Sequence, residues 1–135
     1  MAAWQASYDI EIAAPWPVEY ARTLDRIARR ERTLIAGVRT WGREDGNRLD
    51  VYLEAGVPES AYLRLDLREW DTAFVDDITT CLAAWDSRIV APDGHTLRPD
   101  AASLMQIAAA SPAARFMEDP DSYLRRVRLG DYSDG

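Results

Sequence analysis

The chain has one histidine (His95), one cysteine (Cys81) and no lysine, so all 16 of its basic residues are arginine. Each shortage closes off a class of chemistry. Without lysine there is no Schiff-base nucleophile, and no lysine to complete a Walker-type phosphate loop. A structural zinc site takes about four Cys or His ligands, which one histidine and one cysteine cannot supply. A Ser-His-Asp or Cys-His mechanism would have to run through His95 alone. His95 follows Asp93-Gly94 and reads as a turn residue with no identifiable nucleophile. Cys81 lies between Ile78 and Leu82 and reads as a small core residue rather than a reactive thiol. A single cysteine closes no internal disulfide, and nothing argues for an oxidising compartment. No catalytic residue, metal or cofactor is expected.

Long apolar runs are also missing. Nothing approaches the about 18–20 residues a membrane span needs, and Met1-Ala2-Ala3-Trp4-Gln5 lacks the basic and apolar regions of a secretory signal. A cytoplasmic protein that does not enter membranes is the expectation. Glycines are scattered, with no phosphate-cradling loop and no Asp-x-Asp-x-Asp-Gly calcium spacing.

What is present is ordinary globular material. The 135 residues are 47% hydrophobic and 29% charged, enough for one domain, expected over residues 1–130 with a frayed tail at 131–135. Net charge is −7, and the second half is the more acidic, with 6 arginines against 11 acids in residues 71–135. An acidic exterior repels phosphate backbones, so nucleic acid is disfavoured and a basic protein partner is favoured.

Residues Trp4 to Ile12 alternate apolar and polar, the period of a half-buried strand. Pro15-Trp16-Pro17 then opens a helix whose apolar positions Val18, Ala21, Leu24, Ile27 and Ala28 extend it to about Arg32. Leu34 to Arg43 reads as a second strand. Leu49, Val51 and Leu53 mark a third, and Ala61, Leu63, Leu65 and Leu67 a fourth, separated by Glu44-Asp45-Gly46-Asn47 and Gly56-Val57-Pro58 turns. Asp71 caps a second helix with the stripe Phe74, Ile78, Leu82 and Trp85. Ile89-Val90 is a short β segment with a return through Thr96-Leu97. Ser111-Pro112 and Asp119-Pro120 each start a short helix. The expected fold is α+β: an antiparallel sheet of about four strands, in the order β-α-β-β-β-α, with two long helices on one face and small C-terminal helices.

Two residue groups suggest a binding surface. Arg22, Arg26, Arg29 and Arg30 recur at helical spacing on the first helix, a stripe suited to carboxylates or other acidic groups. Glu19, Asp25 and Glu31 at neighbouring offsets could instead lace it into a solvated face. Among the five tryptophans, Trp16 sits between prolines and Trp41 lies with Arg39 and Arg43 on one side of a strand. Trp and Arg dominate binding hot spots. Trp16, Arg22, Arg26, Arg29, Arg30, Trp41 and Arg43 therefore form the candidate partner-binding set. Asp76-Asp77 reads as a solvated helix face near a helix N-terminus.

In size, acidity and lack of catalytic groups the chain resembles bacterial immunity proteins and other protein inhibitors, though no motif carries the likeness. The leading expectation is a non-catalytic protein-binding domain that neutralises a basic partner such as a toxin or nuclease. The alternative is a small enzyme or ligand-binding domain in which Asp66, Arg64 or Asp77 converge. A structural, self-associating component is a third reading, and the oligomeric state is left open.

Overall fold

The first strand sets the plan of the molecule. In β1 (Gln5–Ile12) the side chains of Ala6, Tyr8 and Ile10 are buried while Asp9 and Glu11 face solvent, so one side of the strand is dry and the other wet. The computed structural model describes residues 3–33 and 35–119. After β1 come α1 (Tyr20–Ile27), β2 (Arg30–Glu31), β3 (Val38–Gly42), β4 (Arg48–Glu54) and β5 (Val57–Asp66). They are followed by α2 (Thr72–Ala84), β6 (Ser87–Val90), β7 (Thr96–Leu97), α3 (Ala101–Ala109) and α4 (Pro112–Glu118). All seven strands join one sheet in the order β2-β3-β4-β5-β1-β6-β7, antiparallel at every pairing.

The α+β class holds, but the expected architecture does not. In place of about four strands and two long helices, the described residues form seven strands and four short helices of 8, 13, 9 and 7 residues. The first helix accounts for much of the difference. It begins at Tyr20, leaving Val18 96% exposed, and stops at Ile27 rather than near Arg32. Ala28 is extended (φ −149°, ψ 158°), and the Arg29 carbonyl accepts from the Gly42 N–H at 2.8 Å. Arg30 then pairs with Trp41 in the sheet and lays its guanidinium 5.2 Å from that ring's centre. Helix preference among such residues is worth only about 0.5 kcal/mol each, and sheet pairing with ring stacking outweighs it. The segments near Ile89 and Thr96 likewise do not stand apart. β6 registers on β1 (Ile10 opposite Ile89, Ile12 opposite Ser87), and β7 registers on β6.

One face of the sheet holds the core. Leu49, Val51, Leu63, Leu65 and Ile89 meet Leu24, Ile78, Leu82 and Leu104 from the helices, all at most 2% exposed. Each such side chain contributes about 1.5–3 kcal/mol by leaving water. The helix starts form where capping residues dictate. Asp71 accepts from the Phe74 N–H at 3.0 Å, Asp100 from Ser103 at 2.7 Å, and Ser111 from Ala114 at 3.2 Å with Pro112 following. The expected helix after Asp119-Pro120 and the 131–135 tail lie outside the described residues.

Candidate functional site

Because strand partners share a face, the register alone writes out the opposite, polar side of the sheet. One row crosses every strand: Glu31, Thr40, Asp50, Tyr62, Asp9, Val90 and Thr96. On one side of it Arg48 faces Arg64, which faces Ser7. On the other, Val38 faces Tyr52, Tyr52 faces Ser60, and Ser60 faces Glu11, whose neighbour on β6 is Arg88. The centre of this face, on β4 and β5, is rich in arginine and tyrosine.

Some of these groups are already committed. The Thr40 hydroxyl donates to Asp50 Oδ1 at 2.6 Å, and Arg48 bridges Asp50 Oδ2 at 3.1 Å while donating to the Glu44 carbonyl at 3.1 Å. At the end of β5, burial alone would raise the Asp66 carboxyl. The Arg68 guanidinium, bridged at 2.8 Å, and the Arg68 amide instead hold it below the ordinary 3.8. Arg68 also stacks 4.1 Å over the Trp4 ring. Arg64 is different: it has no salt bridge among the described residues, and its Nε is buried without a hydrogen-bond partner.

The sequence-predicted residues divide between surface and interior. Arg22, Arg26, Arg29 and Arg30 are all exposed, but only Arg22 and Arg26 lie on α1. Arg29 is in the connection and Arg30 on β2, so the helical stripe is not formed. Arg43 projects from the β3–β4 turn, 3.8 Å from the Glu69 carboxylate. Trp16 and Trp41 do not join them at the surface, since their exposures are 6% and 0%. Trp16 packs 4.9 Å from Trp85 and donates its indole N–H to the Ser87 hydroxyl at 2.8 Å. Trp41 donates to Asp25 at 2.8 Å beneath Arg30. Of the five tryptophans it is Trp70, at the β5–α2 corner, that is 44% exposed.

The residues of the alternative reading do not converge as a trio. Arg64 and Asp66 share the polar face of β5, whereas Asp77 is exposed on α2, which packs against the other face. Cys81 is half-buried on α2, and burial, then Asp77, pushes its thiol up and away from the nucleophilic form. His95 is exposed in its turn, with its amide donating to Asp93 Oδ1 at 2.8 Å. Among the described residues, no three His, Cys, Asp or Glu side chains gather where they could hold a metal ion, and no helix is long and apolar enough to cross a membrane.

Sequence reasoning passed over Arg48, Asp50, Tyr52 and Tyr62 as a group. Their signal was the alternation within 48–54 and 61–67, which separates polar from apolar positions on each strand. The pairing that sets them side by side depends on the turn and on the register shift between Tyr52 and Leu53, neither of which alternation specifies. No protein family, curated protein or solved structure matches the chain.

Proposed function

We propose that the chain is a non-catalytic protein-binding domain that neutralises a basic partner, such as a toxin or nuclease, by covering it. The observation that carries this reading is unbalanced surface charge. The chain is −7 overall. Exposed Glu54, Glu59, Asp76, Asp77 and Asp93 have no salt-bridge partner among the described residues. Carboxylates left without counter-charges create a negative field that accelerates encounter with a positive surface and repels wrong partners. Blocking needs no bond-making groups, which fits a chain with one histidine, one cysteine and no lysine. The place of action in this reading is the cytoplasm, where folding that requires no disulfide suits a reducing environment.

Capture on the immobilised chain from host extract, followed by mass-spectrometric identification, supplies the partner. The test is then titration of that partner's own activity. A basic protein losing its activity in proportion to complex formed is the expected result. A partner that keeps full activity when saturated, or whose own net charge is negative, overturns the reading.

A further inference from the structure

Six large hydrophobic side chains are exposed among the described residues, and three of them belong to one end of the sheet: Ile35 (69%), Val57 (54%) and Tyr52 (40%). The register puts them together. Val38, itself half-buried, stands opposite Tyr52 on the polar face. Two residues on, Glu54 takes the same face, and Val57 is its partner across the hairpin. Ile35 sits in the loop entering β3. The Val38 N–H reaches the Ile35 carbonyl at 3.4 Å and the Leu53 N–H reaches the Gly37 carbonyl at 2.7 Å, which lays that loop along the end of β4. Single exposed apolar residues are ordinary, but several in one place mark a contact surface.

The charges around this patch are unevenly matched. Tyr52 pairs with Ser60 and Leu53 with Pro58, so Glu59 is the extra residue of a bulge, a device that re-aims side chains. Glu59 and Glu54 are both exposed and have no salt bridge among the described residues. The nearby arginines are engaged. Arg88 lies 3.8 Å from Glu11, Arg48 lies 3.1 Å from Asp50, and Arg39 donates at 2.9 Å to the Tyr20 hydroxyl on the core side of β3. Further out, Glu31 offsets Arg32 and Asp9 offsets Arg64. With Arg39 counted, the balance is still negative.

We propose that this end of the sheet, with Ile35, Val38, Tyr52 and Val57 as its apolar centre and Glu54 and Glu59 beside it, is the surface that contacts the basic partner. It takes an apolar side chain flanked by two basic ones. The inference rests on the protein-binding reading and gives that reading a place on the molecule. An apolar centre with a polar rim is how interfaces are built, and the two free carboxylates select a positive surface. A second copy is disfavoured as occupant, because a two-fold contact sets a patch against itself and would bring Glu54 and Glu59 against their own kind.

The probe is the peptide acetyl-Arg-Leu-Arg-amide, titrated into the full chain and followed by NMR of backbone amides and tyrosine rings. Shifts are expected over residues 35–38 and 52–60, including the Tyr52 ring. Replacing the peptide's leucine by glycine, the variant Val57→Ser and the double variant Glu54→Gln/Glu59→Gln should each weaken binding at least fivefold. Asp76→Asn/Asp77→Asn, which removes the same charge from α2, should leave it unchanged. Shifts centred elsewhere, equal binding of acetyl-Glu-Leu-Glu-amide, no effect of Val57→Ser or of the double Gln variant, or self-association of the free chain through these residues would each overturn the assignment. The peptide assay uses no partner, so its failure and failure of the activity titration are told apart.

Discussion

Trp41 and Asp25 show how residue chemistry read from the sequence can be right in kind and wrong in place. An indole between Arg39 and Arg43 on a strand has the composition of a contact surface, yet Trp41 is fully buried and its N–H reaches Asp25, 16 positions earlier. No local pattern encodes that partner. Asp25 binds Trp41 through Oδ1 and takes the Arg30 guanidinium on both oxygens, at 3.1 and 2.9 Å. The Trp41 hydrogen bond first, and Arg30 after it, hold the Asp25 carboxyl below 3.8 despite some desolvation. A carboxyl lowered in the folded state stabilises the protein above its unfolded value, and that contribution disappears as pH falls through the folded value. Asp25→Asn should therefore cost about 1 kcal/mol at pH 7, an amount reduced by the 43% exposure of the side chain. The gap from the parent should narrow as pH drops below 3.8. Urea unfolding at pH 7 and pH 3 checks this, and an undiminished gap at pH 3 would remove the assigned role.

At the level of elements, the β4–β5 hairpin decides the candidate site, because its turn and the register shift between Tyr52 and Leu53 together set Arg48 against Arg64. Glu54 pairs with Val57, leaving Ala55 and Gly56 as a two-residue loop with φ of 51° and 80°. Two-residue hairpins favour residues that tolerate positive φ, and alanine there costs roughly 1–2 kcal/mol of backbone strain. Ala55→Asn is expected to raise stability by about 0.5–1 kcal/mol with the register intact, measured by thermal unfolding and cross-strand NMR contacts. A loss of stability would show that the turn is not what holds the register. The same hairpin marks how far the sequence could be read. Period-two alternation located β1, β4 and β5, and capping chemistry located the starts of α2 and α4. Strands of two to four residues such as β2, β6 and β7 contain too few positions for a period, and their membership of the sheet comes from partners far along the chain. A turn beginning with alanine carries none of the Asn-Gly or Asp-Gly signal, and the shift between Tyr52 and Leu53 moves the register again beyond it. The rows of the polar face were therefore legible strand by strand but not as one surface.

For the molecule as a whole, the sheet divides two kinds of work. Its apolar face and the four short helices enclose the core, while the other face carries arginine, tyrosine and carboxylate side chains. The surrounding exterior is acidic, at −7 for the chain. Long-range attraction scales with net charge and is screened over about 10 Å at 0.1 M salt. Short-range contacts govern dissociation instead. The two contributions should separate kinetically, with salt acting chiefly on the association rate. The most direct measurement is the association rate of the chain with its captured basic partner as ionic strength rises from 20 to 200 mM. A fall of about tenfold or more is expected for an electrostatically steered encounter. A rate that stays flat across that range would contradict recognition through the acidic exterior.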